Sequence, residues 1–378
     1  MLKMLASHLL SDDLPRSRWL TLLLVGVLLY LLAAPFLIPG ARSLNVAVTI
    51  CAFLVLVGSF DLLLGYSGMV SFAHAMFYGI GAYGVGIALH LVGPSWRAVL
   101  IGVAAAAMTS VALSILMALI SLRVKAIFYT MTTLAVAAAF GALVLRVNTL
   151  TGGDDGRNFR PPELLTSGLR LFNEPVLGLV INGRIITYYL VLACALALFL
   201  LMLRIVNSRF GRVLEALREN EFRAEASGYR TLAYRMVINI IAALVATAAG
   251  VLMALWLRYV GPQTTVNFNV MLNILLMAVI GGLGTMYGAV LGVVLFVVAE
   301  NYLQLLLKAV AGSLVGMPML ARLFEPDRWL LWFGLLFVLA VYFFPTGIVG
   351  KLREGAARRR VAEQRASFVS TIDLYLIV

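Results

Sequence analysis

The chain has 378 residues, of which 62% are hydrophobic and only 12% are charged, and these proportions exclude an ordinary soluble domain. Its formal net charge is +12, but in so apolar a chain this excess indicates membrane topology and attraction to anionic lipid rather than nucleic-acid binding. The two cysteines, Cys51 and Cys194, lie in apolar runs and support neither a disulfide framework nor a zinc site. The composition therefore indicates an integral membrane protein.

Apolar runs that can cross a bilayer recur along the chain. Ten are predicted as membrane-spanning helices, at residues 19–39, 45–64, 70–91, 97–121, 126–145, 185–203, 234–257, 270–280, 287–307 and 329–344. A helix rises about 1.5 Å per residue, so the 270–280 run must tilt, extend into its loops or re-enter. We expect an all-α polytopic membrane protein with about ten transmembrane helices, within a range of about eight to eleven.

The basic residues predict how these helices are oriented. Ten crossings that begin in the cytoplasm return the C-terminus there, and most of the 29 Lys and Arg residues then lie inside, as the positive-inside rule requires. The first apolar run is expected to remain as an uncleaved helix. The predicted divisions are a cytoplasmic segment at 1–18, a transmembrane domain at 19–350 and a cytoplasmic basic tail at 351–378.

A polar segment at 146–184 forms the predicted external loop. It contains "TGGDDGRNFRPPE" (Thr151 to Glu163), in which Gly, Asp, Asn and Pro favour turns. Asp154 and Asp155 lack the alternating acidic spacing of a calcium loop, so we interpret both as turn residues. A loop of this length indicates a functional or partner-facing role.

A second polar segment, at 207–233, forms the predicted cytoplasmic loop. Phe210, Val213, Leu214 and Leu217 recur at helical spacing and give one apolar stripe on an otherwise charged helix. Gly228 is predicted to end this amphipathic unit. Such a helix lies on a surface, either as an interfacial helix on the membrane or as a docking element for a partner.

The sequence lacks the patterns of common catalytic sites. It contains no phosphate-binding loop, no His-Glu-x-x-His pair, no Gly-x-Ser-x-Gly elbow and no cysteine–histidine cluster, so neither a catalytic residue nor a metal site is expected. Asp61 and Glu300 lie inside predicted spans, where they could form the proton relay of an ion-coupled transporter. We favour the alternative, in which they lie near an interface or pair with neighbours such as Asn45 or Asn301.

Two glycine-rich stretches interrupt the apolar pattern, one in each half of the chain. They are "GYSGMVSFAHAMFYGIGAYG" (Gly65 to Gly84) and "GGLGTMYG" (Gly281 to Gly288). Broken helices in corresponding halves are typical of a transport pathway, because irregular backbone in a membrane must line a cavity or be buried in protein. The predicted path or break residues are Gly65, Ser67, Gly68, Ser71, His74, Gly281, Gly282 and Gly284.

The polar residues of the first stretch have predicted roles in this break. Ser67, Ser71 and His74 are expected to satisfy backbone groups that the break leaves without partners. Gly79, Gly81 and Gly84 are expected to let the third helix pack closely against its neighbours.

The first stretch resembles the signature of LivM-type permeases of branched-chain amino acid ABC transporters. "RENEFRAEASGYR" (Arg218 to Arg230), "GGLGTMYGAVLG" (Gly281 to Gly292) and "FFPTGIVG" (Phe343 to Gly350) follow in the family's order. "TGGDDG" (Thr151 to Gly156) is similar to the family's external loop. These matches cover most of the chain.

The resemblance implies an importer subunit in a bacterial inner membrane. Its partners would be a homologous second permease, two cytoplasmic ATPase subunits, a periplasmic solute-binding protein and membrane lipid. No cofactor is implied in this subunit, since the ATPases bind ATP and Mg²⁺. The family's ATPase-coupling loop corresponds to Arg218, Glu221, Glu225, Ala226 and Gly228.

Departures from the family pattern leave alternatives for the substrate. Met69, Phe72 and Ala73 differ from the residues common in the family. Urea and short-amide permeases share most of the pattern, so a urea or amide importer is the first alternative to an amino acid importer. An ion-coupled secondary transporter that uses Asp61 or Glu300 is the second.

Overall fold

The computed structural model describes residues 18–37, 40–121, 126–166, 168, 182–313, 322–344 and 347–351. The predicted N-terminal segment, nearly all of the basic tail and part of the predicted external loop lie outside the described residues. The main helices are α1 Arg18–Leu37, α2 Ala41–Asp61, α3 His74–Val92, α4 Trp96–Ser121, α5 Ala126–Arg146, α6 Gly183–Val206, α7 Arg209–Glu219, α8 Glu221–Ala226, α9 Thr231–Leu257, α10 Phe268–Gly281, α11 Met286–Ser313 and α12 Trp329–Phe343.

The spans agree closely with those predicted from hydropathy. In the described part of the chain, nine helical spans are long and apolar enough to cross a membrane, and α1 adds a shorter apolar helix at Leu20–Phe36. The short 270–280 run is lengthened by a one-turn helix, Pro262–Thr265, which gives a 20-residue span at Pro262–Gly281. The polytopic all-α fold is confirmed.

The centre of the bundle is formed by α2, α3 and α9, most of whose residues are buried. Helix α9 packs against α3, α2 and α4, while α2 also contacts α6 and α11. Helices α5 and α12 lie at the periphery with mostly exposed side chains. Exposed apolar side chains are expected on such helices, because in a bilayer they face lipid.

Glycines bring α3 and α9 into backbone contact. Gly81 lies against the carbonyl of Thr247, and Gly250 of α9 lies against the carbonyl of Tyr78. Gly84 lies similarly close to Ala106 on α4. Helices in lipid associate through van der Waals packing of this kind, because lipid tails are as apolar as the side chains.

Buried hydrogen bonds join α4, α5 and α9. The hydroxyls of Ser110 and Thr247 are 2.6 Å apart. Asn239 donates from Nδ2 to the Ser114 hydroxyl at 2.9 Å and accepts from the Tyr129 hydroxyl at 3.0 Å. These side chains are satisfied within the protein, as polar groups at membrane depth must be.

The predicted external loop folds against the end of α9. Strand β1, Arg157–Asn158, pairs antiparallel with β2, Tyr259–Val260. Asp154 and Asp155 are exposed in a one-turn 3₁₀ helix, Gly153–Asp155, and the Tyr259 hydroxyl donates to the Asp155 carbonyl at 2.9 Å. Both aspartates are turn residues, as predicted.

A polar cluster at the same end joins α2, α6 and α9. Oδ1 of Asn45 accepts hydrogen bonds from Arg184 and from the Trp256 indole, both at 3.1 Å. The Arg184 guanidinium lies 5.0 Å from the centre of the Trp256 ring. Arg258, just beyond α9, donates to the Leu165 carbonyl at 2.7 Å, and burial together with the charge of Arg184 lowers its pKa. Asn45 therefore serves this cluster and is not a partner of Asp61.

We predict that Gly81→Ala destabilises the protein by about 1–3 kcal/mol, because the added methyl group would overlap with the Thr247 carbonyl. Gly26→Ala is the matched control, since no atom lies within 4 Å of the added carbon. Thermal unfolding in detergent, followed by size-exclusion chromatography, measures the difference. Equal unfolding midpoints for the two variants would contradict the close contact between α3 and α9.

Candidate functional site

The first glycine-rich stretch begins where α2 changes geometry. The helix continues beyond Asp61 as a π-helical turn, Leu62–Tyr66, and the next helix starts only at His74. The Leu63 carbonyl accepts hydrogen bonds from the Ser67 hydroxyl at 2.7 Å and from the Met69 amide at 3.0 Å. Ser67 thus satisfies a backbone carbonyl freed by the break, as the sequence analysis predicts.

Helix α5 supports the same stretch from the side. Thr133 accepts from the amide of Phe72 at 3.0 Å, and Thr130 donates to the carbonyl of Val70 at 3.1 Å. The Ser71 hydroxyl accepts from the Ala73 amide at 3.3 Å. The third helix starts four residues later than predicted because residues 70–73 make these contacts instead of a helical turn.

His74 is the first residue of α3. Its ring is buried and packs edge-on against Phe60, with the ring centres 5.1 Å apart. The Ser59 backbone lies towards the ring, but neither ring nitrogen has a hydrogen bond of normal geometry among the described residues. His74 is therefore a buried residue packed against Phe60, and its predicted role towards the backbone of the break stays a prediction.

The second break lies between α10 and α11. Gly282 and Gly284 have φ angles of 111° and 76°, values that favour glycine strongly. Thr285 donates from its hydroxyl to the Gly282 carbonyl at 2.9 Å. Gly347, in the helical residues 347–351, lies directly against the Cα of Gly282. Gly281, Gly282 and Thr285 are therefore buried, whereas Leu283 between them is exposed.

The two breaks meet. Oδ1 of Asp61 accepts a hydrogen bond from the Gly284 amide at 2.8 Å across 223 positions of sequence. A side chain at Gly65 would overlap with both the Asp61 carboxylate and the Gly284 nitrogen. Arg218 of α7 donates to the Gly65 carbonyl. We call these four residues, Asp61, Gly65, Arg218 and Gly284, the glycine junction.

The junction corrects the expected partners of the buried carboxylates. Asp61 is 2% exposed and is paired with the Gly284 amide rather than with Asn45 or Asn301, the neighbours named as examples in the sequence analysis. Asn301 donates instead to the Val297 carbonyl, one turn earlier on α11. Glu300 is partly buried on α11, away from the junction residues in sequence. Its role stays a prediction.

The cytoplasmic loop predicted at 207–233 is two helices rather than one. Helix α7 ends at Glu219, and the side chain of Asn220 caps α8 by accepting from the Arg223 amide at 3.0 Å. Gly228 follows α8 with a φ of 89° and so ends the helical unit, as predicted. An Asn-Glu step is an N-terminal helix signal that could have revealed this division.

The apolar stripe of α7 is already covered. Val213, Leu214 and Leu217 are buried against the protein's own helices, and α7 contacts α6, α9 and the π-helical turn. The stripe is therefore neither a membrane-binding face nor the surface that a partner would bind. Instead the stripe attaches α7 to the bundle next to the π-helical turn that contains Gly65.

Helix α8 is held rigidly but leaves a free surface. Its C-terminus has Schellman geometry: the Gly228 amide donates to Glu225 at 2.8 Å, and the Tyr229 amide to Ala224 at 3.2 Å. Glu221 forms an ion pair with Arg235 at 2.8 Å, and Glu225 accepts from the Thr231 hydroxyl at 2.8 Å. Glu221 and Glu225 thus tie α8 to the start of α9. The exposed residues include Phe222, which is 79% exposed, together with Ala226, Gly228 and Tyr229.

A polytopic helical bundle with two glycine breaks, in contact beside an exposed helical loop, is the architecture of a membrane transport subunit. A sequence profile for the family described as branched-chain amino acid transport system, permease component, matches residues 42–343. The chain belongs to this family. Membership confirms the prediction of a transport subunit rather than an enzyme.

Characterised relatives support the assignment over most of the chain. LivM, the high-affinity branched-chain amino acid transport system permease protein of Salmonella typhimurium, is 27% identical over 297 residues, which cover 75% of this chain and 68% of LivM. LivM of Escherichia coli is 26% identical over 298 residues, with the same coverage. BraD of Pseudomonas aeruginosa, with the same description, is 27% identical over 309 residues, or 77% of this chain and 89% of BraD. No solved structure matches the chain.

We predict that Gly65→Ala lowers transport by at least about tenfold, because its methyl group would separate Asp61 from Gly284. Gly334→Ala, where no atom lies within 4 Å of the added carbon, is the control. Uptake is measured in membrane vesicles that contain equal amounts of folded protein and the partner subunits. Uptake by Gly65→Ala at the rate of the control would contradict the role of the junction.

Proposed function

We propose that the chain is the membrane-spanning subunit of an ATP-binding cassette importer that translocates leucine, isoleucine, valine or related amino acids. The contact between the two glycine breaks, beside the exposed α7–α8 loop, is the observation that carries this proposal. It places the broken backbone typical of a substrate pathway next to a surface that a second protein can reach. The names of the relatives support the amino acid class.

ATP hydrolysis belongs to separate subunits in this proposal. The complex would contain a homologous second permease, two ATPases that bind ATP and Mg²⁺, and a periplasmic binding protein, surrounded by the lipid of a bacterial inner membrane. The α7–α8 end of the bundle faces the cytoplasm, since Arg204, Arg209, Arg212, Arg218, Arg223, Arg230 and Arg235 all lie there.

The ATPase would bind α8 rather than the stripe of α7. Phe222 projects from the loop with 79% of its surface exposed, and Tyr229 is 42% exposed nearby in sequence. Aromatic side chains of this kind dominate the free energy of many interfaces when they enter a pocket on the partner. The contacts of Glu221 and Glu225 with the start of α9 would pass the movement of α8 into the bundle.

The proposed function is tested by uptake of labelled leucine into proteoliposomes that contain the complete transporter. We expect uptake that requires ATP, is abolished by a catalytically inactive ATPase and is reduced by excess unlabelled isoleucine or valine. Competition by urea or a short amide, without competition by the amino acids, would overturn the substrate. Uptake that persists with the inactive ATPase but is lost when the proton gradient collapses would overturn the class.

We predict that Gly228→Pro uncouples ATP hydrolysis from uptake. Gly228 has a φ of 89°, which proline cannot adopt, and proline also lacks the amide that donates to Glu225. The measurement is the number of ATP molecules hydrolysed per leucine imported.

The control is Gly93→Pro, which removes a glycine of similar φ, 95°, after α3 at the opposite end of the bundle. We expect the ATP-to-leucine ratio to rise several-fold for Gly228→Pro and to stay near the wild-type value for Gly93→Pro. The same ratio in both variants would argue against a coupling role for α8.

A further inference from the structure

Arg218 connects the α7–α8 loop to both glycine breaks. Its guanidinium donates to the Gly65 carbonyl, and Nη1 lies 2.7 Å from the position that a Cβ would occupy at Gly284. Its Cγ lies 3.3 Å from the corresponding position at Gly68. One side chain of a surface helix therefore contacts backbone from both halves of the chain.

The Gly65 carbonyl depends on this contact. Carbonyl groups at a helix C-terminus have no partner within the helix and need one from elsewhere. Near this terminus, the Leu63 carbonyl is satisfied by Ser67 and Met69. The Gly65 carbonyl is satisfied by Arg218, which belongs to an element that lies outside the membrane-spanning helices.

Asp61 completes the arrangement on the other side of Gly65. Its Oδ1 binds the Gly284 amide, and its Oδ2 has no hydrogen-bond partner among the described residues. The Asp61 carboxylate thus bonds to the second break, while the Arg218 guanidinium bonds to the first break and lies against the second.

Helix α7 is placed so that its movement reaches these bonds. Its buried stripe, with Leu214 and Leu217, packs against the π-helical turn and the neighbouring helices. A shift of α7 that does not carry the π-helical turn with it displaces Arg218 relative to Gly65. The hydrogen bond from Arg218 to Gly65 is a polar contact between α7 and the π-helical turn, beside the apolar contacts of the stripe.

We propose that Arg218 is a positioning residue that locks the two glycine breaks together, and that substrate passage at this end requires its bond to Gly65 and the Asp61–Gly284 bond to open when the α7–α8 loop moves. This inference rests on the proposed function and assigns the coupling movement to one side chain. The lock lies at the cytoplasmic end in the proposed orientation.

The test measures how readily the break becomes accessible in the assembled transporter. Ser67→Cys, in a background with Cys51→Ala and Cys194→Ala, reports the break, since Ser67 is 1% exposed. Ser110→Cys reports a buried site between α4 and α9, because Ser110 is 0% exposed. Each is labelled with a membrane-impermeant maleimide from the side of the ATPases, without ATP.

Arg218→Gln is expected to raise the labelling rate of Ser67→Cys by about tenfold or more, because a charge-assisted hydrogen bond to the break is lost. Ser110→Cys should remain at its original rate. Arg218→Lys should have an intermediate effect, since its ammonium group can donate a single hydrogen bond. Arg212→Gln, an exposed arginine on the same helix, is the control and should leave both rates unchanged.

Uptake by the wild-type complex distinguishes failure of the proposed function from failure of the Arg218 lock. Failure of the wild type to import leucine with ATP would overturn the proposed function. With wild-type import intact, equal labelling of Ser67→Cys in the Arg218→Gln and Arg212→Gln backgrounds would overturn the lock. A parallel rise at Ser67→Cys and Ser110→Cys would also overturn it, because it would show general loosening of the fold. A selective rise at Ser67→Cys supports the proposal.

Discussion

Backbone amides and carbonyls that leave helical geometry in an apolar phase need partners from within the protein, because no water is present to replace them. The hydrogen bond between Asp61 and the Gly284 amide is the central response to this constraint. It joins the two irregular segments by a polar contact within the protein. The absence of side chains at Gly65 and Gly284 permits the approach, and Ser67, Thr130 and Thr133 satisfy the groups around it.

The α7–α8 loop assigns attachment to the bundle and presentation of an exposed surface to two different helices. The apolar stripe of α7 is used for attachment to the bundle, whereas α8 is held by polar contacts and keeps an exposed aromatic side chain. A partner that binds Phe222 would therefore act on a short, capped helix whose base is already fixed to α9. The exposed positions of the loop accordingly carry both charged residues and the aromatic residues Phe222 and Tyr229.

Hydropathy and glycine content predicted much of this fold. The spans were evident because an apolar run is a local property, and the breaks were evident because several glycines within one run oppose a regular helix. The pairing of Asp61 with Gly284 was not evident from the sequence, because no periodic pattern relates residues 223 positions apart. An amphipathic pattern also shows that Leu214 and Leu217 share a face without showing what covers it. The second start at Asn220 was missed although its residue type is a capping signal.

The cluster at the far end of the bundle has a mechanical consequence. Asn45, Arg184 and Trp256 tie the N-terminal part of α2 to the ends of α6 and α9, about 24 Å along α2 from Asp61. Helices pinned at one end can separate only by swinging about that point, so small angular changes there become displacements of ångströms at the junction. The tied end is the pivot, and the displacement at the junction is proportional to the length of α2 between the two.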